Sequence, residues 1–204
     1  MSTMELAGKI GKVIDIGAVL PGSGIPTVQS LKPRDQAAVS RHQYSGHYGF
    51  GEFPLHSDLA HWTVPPRYFL LRCVAGAEDV FTRILPWAAI LPSFGTGALQ
   101  KAVFVGRKRR LGCSGLVRAL WRHDQGDIFR WDSVFLKPLN TAAQELAILM
   151  RQTRWHEAAE QIPLCRPGDT LLIDNWRMLH GRSPVPVHSK GRLVERLYLS
   201  GISL

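Results

Sequence analysis

Cysteine is scarce and unpatterned: Cys73, Cys113 and Cys165 are the three in 204 residues, with none of the close pairs that build zinc knuckles or disulfide frameworks. They read as buried or incidental thiols. No apolar run approaches the roughly 18 residues a membrane-spanning helix needs, and Met1 to Ala7 holds no basic stretch leading into an apolar segment. The expectation is a cytoplasmic chain with no membrane association. Acidic residues are in short supply, 16 against 25 basic ones, for a net charge of +9. That balance attracts nucleic acid, anionic membranes and small anions alike, so it poses a question about partners without answering it. Internal repeats and linker-like stretches are also absent, which predicts one domain over residues 1–204. With 45% apolar and 20% charged residues, the chain has material for a core, and intrinsic disorder is excluded.

The first 50 residues are rich in Gly, Pro and Ser, with Pro21-Gly-Ser-Gly24 the clearest turn cluster, and predict loops and edge strands. Residues 67–74 form a β-favouring run launched by Pro65-Pro66, and Thr170 to Asp174 a second launched by Pro167-Gly168. From Arg192 to Leu199 strict alternation puts Arg192, Val194, Arg196 and Tyr198 on one face and Leu193, Glu195, Leu197 and Leu199 on the other. Thr141 to Glu160 reads as a helix, with Thr141 and Gln144 as a capping box and Leu146, Leu149 and Met150 on one stripe. Many short strands and one helix predict a mainly β chain, a barrel or sandwich with flanking helices.

His56-Ser57-Asp58 is the chain's one His-x-Asp; in an extended segment its outer side chains share a face and reach one cation. Alone this is a weak signal. Far along the chain stands Gly168-Asp-Thr-Leu-Leu-Ile-Asp-Asn-Trp-Arg-Met-Leu-His180-Gly-Arg182, followed by Arg192-Leu-Val-Glu-Arg196. With these segments the chain resembles the taurine dioxygenase-like family of iron(II)/2-oxoglutarate dioxygenases from about Tyr48 to the C-terminus. Asp174 to Arg182 is similar to the γ-butyrobetaine hydroxylase branch.

The resemblance implies a double-stranded β-helix, the jelly-roll or cupin-like barrel. It implies Fe(II) held by His56, Asp58 and His180 as a facial triad that leaves positions for 2-oxoglutarate and O2. Arg192 matches the arginine that pairs with the distal carboxylate of 2-oxoglutarate. Arg196 matches a second arginine beside the co-substrate that reaches an acidic group of the substrate. Independently of the resemblance, the alternation sets these two arginines on one strand face about 13 Å apart. Guanidinium groups turned inward need anions, and their fork fits a carboxylate; a strand facing solvent would make both ordinary surface residues. Where the family carries Gly-Gly-Asp-Thr, this chain has Gly76-Ala-Glu-Asp-Val80, which leaves Thr82 as the nearest hydroxyl for the co-substrate. The stretch between the metal motifs is compact, which implies a reduced lid.

Halogenating relatives lack the metal-binding carboxylate, so Asp58 favours hydroxylation or a related C–H oxidation of a small acidic or zwitterionic molecule, with release of succinate and CO2. Tyr48, His61 and Trp62 are candidates for the substrate side; their alternatives are a glycine-rich turn around Tyr48 and packing beneath Pro65-Pro66. Arg130-Trp-Asp132 reads as scaffold with an edge in the pocket. Arg107-Lys-Arg-Arg110 is the densest basic run, either a solvated loop or a phosphate contact. Two rival readings stay open: a nucleic-acid-directed dioxygenase, and a non-catalytic barrel that binds metal and a 2-oxo acid. Homo-oligomerisation is also left open.

Overall fold

The computed structural model describes residues 1–21, 24–39, 43–107 and 115–203; Cys113 and residues 108–110 of the basic run lie outside them. The strands in chain order are β1 (Gly11–Val13), β2 (Gln29–Leu31), β3 (Phe53–His56), β4 (Tyr68–Ala75), β5 (Phe81–Pro86), β6 (Val103–Gly106), β7 (Leu116–Arg118), β8 (Leu120–His123), β9 (Gly126–Phe129), β10 (Leu136–Pro138), β11 (Glu160–Pro163), β12 (Thr170–Asp174), β13 (Met178–Arg182) and β14 (Leu193–Ile202). The helices are α1 (Thr3–Ile10), α2 (Ile16–Val19), α3 (Ser45–Tyr48), α4 (Leu91–Phe94), α5 (Thr96–Lys101), α6 (Thr141–Gln152) and α7 (Trp155–Ala158). The protein is mainly β, with antiparallel sheets and flanking helices. No helix among the described residues is long and apolar enough to cross a membrane.

Two sheets dominate. One runs β1-β14-β4-β12 with β2 also on β14; the other runs β11-β5-β13-β3. Phe69, Leu71, Cys73, Ile173, Val194 and Tyr198 from the first sheet pack with Ile84 and Met178 from the second in one cluster. This cluster is built by strand alternation, since β14 sends Val194 and Tyr198 into it while Leu197 and Leu199 pack with Ala7 of α1. Leu85 and Leu179 of the second sheet instead join Leu146 and Met150 of α6. Each sheet therefore has a helix on its outer face.

The N-terminal segment departs from the loop expectation, because Thr3–Ile10 is helical. Its signal is Ser2-Thr-Met-Glu5, a capping box in which Ser2 accepts from the Glu5 amide and the Glu5 carboxylate accepts from the Ser2 amide. The helix expected over 141–160 stops at Gln152, Trp155–Ala158 forms a separate short helix, and Glu160 begins β11, which pairs with β5. At Glu160 tertiary pairing overrides helical propensity. The N-cap of α6 is Asn140 rather than Thr141: the Asn140 carboxamide accepts from Ala143 N (3.0 Å) and Val103 N (3.1 Å) and donates to Lys101 O (2.7 Å). One side chain thus starts α6 and fastens it to β6. A hydroxyl lacks that reach.

Candidate metal centre

His56 ends β3 and His180 lies directly opposite it in β13. The register slips between His180 and Arg182, so three steps of β3 are matched by two of β13, a bulge that re-aims side chains beside a site. Gly181 makes the close approach feasible, since a Cβ there would stand 2.6 Å from Phe53 O. Asp58 follows in a tight turn where Leu59 adopts a φ of 53°. Asn175 fixes that turn: its Oδ1 accepts from Asp58 N (2.8 Å), and its Nδ2 donates to Asp58 O (3.0 Å) and Pro66 O (2.9 Å). The motif that supplies His180 thereby also positions Asp58.

Ligand atoms of His56, Asp58 and His180 all lie within 4.8 Å of one another, and all three residues are buried. Asp58 Oδ1 stands 3.8 Å from His56 Nε2 and 3.6 Å from His180 Nε2. His56 Nδ1 faces Pro54 O at 2.8 Å, which selects the tautomer with a free lone pair on Nε2. Burial, and then the neighbouring His180, push the His56 imidazole down to about 3, so it is neutral at physiological pH. Burial alone would raise the Asp58 carboxyl, but Arg196 and then His180 hold it well below the usual carboxylate range. Neutral imidazoles and one carboxylate suit a divalent first-row metal with positions left open.

The two arginines differ sharply. Arg196 Nη1 donates to both oxygens of Asp58 (3.0 and 2.7 Å), its Nη2 donates to Gln29 Oε1 (2.8 Å), and Tyr198 Oη adds a bond to Asp58 Oδ2 (3.1 Å). Arg192 is buried, and its guanidinium has no hydrogen bond or ion pair among the described residues. Thr82 is buried in β5 opposite Arg182 of β13, two positions from the Ile84–His180 pair. Val80, where the family has threonine, is buried as well.

Tyr48 ends α3 with its hydroxyl 3.3 Å from Ser133 Oγ. His61 packs against the Phe135 ring (5.8 Å), and Trp62 belongs to the inter-sheet cluster. Sequence reasoning missed Tyr44, whose ring stacks on His56 at 4.0 Å and 22°; nothing local announces that contact. It also missed the clamp formed by Arg182, which lies over Phe53 (3.7 Å) and donates to Gly49 O and Gly51 O.

Asp132 was legible only as part of Arg-Trp-Asp. Its Oδ1 accepts from the Val134 and Phe135 amides, both at 2.7 Å. Burial pushes its carboxyl up to about 7. The native state therefore holds a proton that the unfolded chain loses near pH 4, and ionisation removes stability as pH rises from about 4 to 7. Asp132→Asn keeps the amide acceptor without the charge. It is expected to raise the Tm of metal-free protein by a few degrees at pH 8, the gain vanishing at pH 4. Calorimetry at the two pH values checks this, and an equal effect at both would refute it.

The fold is shared with solved non-heme iron oxygenases. An asparagine oxygenase solved with Fe(II), (2S,3S)-3-hydroxyasparagine and succinate superposes with a TM-score of 0.67 at 19% identity, covering 85% of this chain and 56% of that one. The non-heme iron oxygenase OrfP, solved with Fe and alpha-ketoglutaric acid, gives 0.64 at 16% identity, covering 94% and 61%. In sequence, the chain is 26% identical over 172 residues to an L-lysine 3-hydroxylase of Catenulispora acidiphila, covering 77% of this chain and 46% of that protein. No family model matches. The chain spans about half the length of these relatives. They act on amino acids by their names, and the γ-butyrobetaine branch is not among them.

Proposed function

We propose that this chain is a single-domain Fe(II)- and 2-oxoglutarate-dependent dioxygenase that hydroxylates a C–H bond of a small zwitterionic molecule, a free amino acid. The observation that carries the reading is the pairing of two features: three buried ligand atoms within 4.8 Å and a buried arginine, Arg192, left without an anion. The two main sheets are read as the halves of a double-stranded β-helix closing around them.

When bound, iron supplies oxygen activation coupled to cleavage of 2-oxoglutarate into succinate and CO2. The protein's own residues supply the rest. His56, locked by Pro54 O, and His180 offer Nε2 lone pairs, and Asp58 offers the compensating charge. Arg192 takes the distal carboxylate in a two-pronged bond, with Thr82 as a neighbouring hydroxyl. Arg196 and Tyr198 hold the Asp58 carboxylate in place, and Arg196 is the residue near enough to meet a substrate carboxylate. Asp132, buried near the centre, suits the substrate's ammonium group, which would draw its proton off.

Arg196→Met leaves the buried Asp58 charge with Tyr198 and the neighbouring His180 as its partners. Metal-free protein should lose about 3 kcal/mol, recovered largely on adding Mn(II), because a bound cation replaces the missing guanidinium. Chemical denaturation with and without Mn(II) measures it; an identical loss in both would sink the idea.

The function itself is tested by incubating the protein with Fe(II), ascorbate, 2-oxoglutarate and each proteinogenic amino acid in turn, quantifying succinate and searching for a product heavier by one oxygen. Expected is one or a few amino acids that raise succinate release and gain oxygen together. Metal and 2-oxoglutarate binding without turnover on any amino acid would instead favour the non-catalytic barrel.

A further inference from the structure

A cleft of about 640 Å³ lies beside β3, and none of the triad residues lines it. Alternation explains the separation: His56 turns toward the metal centre, while Leu55 turns the other way, into the cluster shared with Trp131 and Met150. Those three residues with Val134 give the cleft an apolar floor. Its size suits a small molecule.

The rim is cationic. Glu52 is already engaged by Arg83 (2.9 Å) and His156 (3.7 Å). The guanidinium groups of Arg107 and Arg151 line the cleft with no ion-pair or hydrogen-bond partner among the described residues. Two unpaired guanidinium groups set the sign of what should arrive.

We infer that this cleft is a second binding site, for an amphipathic anion: an apolar body on the Leu55–Met150 floor, with carboxylate or phosphate oxygens against Arg107 and Arg151. It gives a role to Arg107, the one described residue of the basic run. Nucleic acid fits less well, because the floor is concave and apolar.

The probe is 8-anilinonaphthalene-1-sulfonate, which joins an apolar body to one anion, followed by its own emission and by energy transfer from tryptophan. Expected is one saturable site, weakened at least about tenfold in Arg107→Gln/Arg151→Gln, with Tm and Mn(II) affinity unchanged. Phenyl phosphate and hexanoate should displace the probe, and the tighter competitor identifies whether the oxygens come from phosphate or carboxylate. Unchanged affinity in the double variant overturns the inference. So does displacement by Mn(II) with 2-oxoglutarate, which would put the probe at the metal centre, or displacement by duplex DNA alone.

Discussion

His180→Ala is expected to abolish succinate formation and to weaken Mn(II) binding by more than about a hundredfold, since changing even an outer-shell partner of a metal ligand costs 10–100-fold. The reason is geometric. His180 is the one candidate ligand on β13, and with it gone the remaining pair, His56 and Asp58, comes from a single short segment of chain. The fold should survive. The ring packs 4.3 Å from His56 and 4.6 Å from Phe69, so truncation leaves a cavity worth about 1–3 kcal/mol, while the β13–β5 and β13–β3 pairing is main-chain. Mn(II) titration by electron paramagnetic resonance, with thermal unfolding as the check on folding, measures both effects. Full-strength Mn(II) binding by folded His180→Ala would place the metal elsewhere and remove the basis of the proposed chemistry.

The triad and its setting differ in how far sequence alone could reach. His56 and Asp58 are two residues apart, so their shared face follows from strand geometry, and Thr170–Asp174 forms the strand expected there because its β-favouring run begins at a proline-glycine turn. The alternation of β14 likewise foretells that Val194 and Tyr198 share an inward face. What escaped is non-local. Asn175 bridging to the Asp58 turn, Tyr44 stacking on His56 and Arg196 seizing Asp58 join residues 117, 12 and 138 positions apart (175 − 58, 56 − 44 and 196 − 58). No periodicity encodes which side chains meet across two sheets. The N-terminal helix is a different case, because the Ser2–Glu5 capping box encodes it locally within a segment otherwise rich in glycine and proline.

The contrast between the arginines also bears on order of binding. Arg196 is neutralised in the metal-free protein by the same carboxylate that a cation would recruit. A cation held by the triad would compete with Arg196 for Asp58 and would free that guanidinium for other anions, an arrangement that would favour metal first and the anionic molecules after it.

Arg192→Met is expected to act in opposite directions on stability and on co-substrate binding. In the free protein Arg192 is a buried cation with no counter-ion, and burial already lowers its pKa, so replacing it with an apolar side chain of similar length removes a desolvation cost and should raise the Tm by a few degrees. With 2-oxoglutarate present the order reverses. A ligand at a hundred times its Kd stabilises wild-type protein by about 2.7 kcal/mol, and a variant without the guanidinium should lose essentially all of that. Removing one partner of a buried charge-assisted pair costs about 2–5 kcal/mol, so the KM for 2-oxoglutarate should rise about 30- to 5,000-fold while Mn(II) affinity stays near wild type. Thermal shifts with Mn(II), with and without 2-oxoglutarate, separate the two effects in one experiment. A variant that is more stable alone yet unresponsive to 2-oxoglutarate identifies Arg192 as a residue kept for its ligand at the expense of the fold. A variant that still responds fully to 2-oxoglutarate means the distal carboxylate is held elsewhere, and Arg192 is then a buried charge with no anion to justify it.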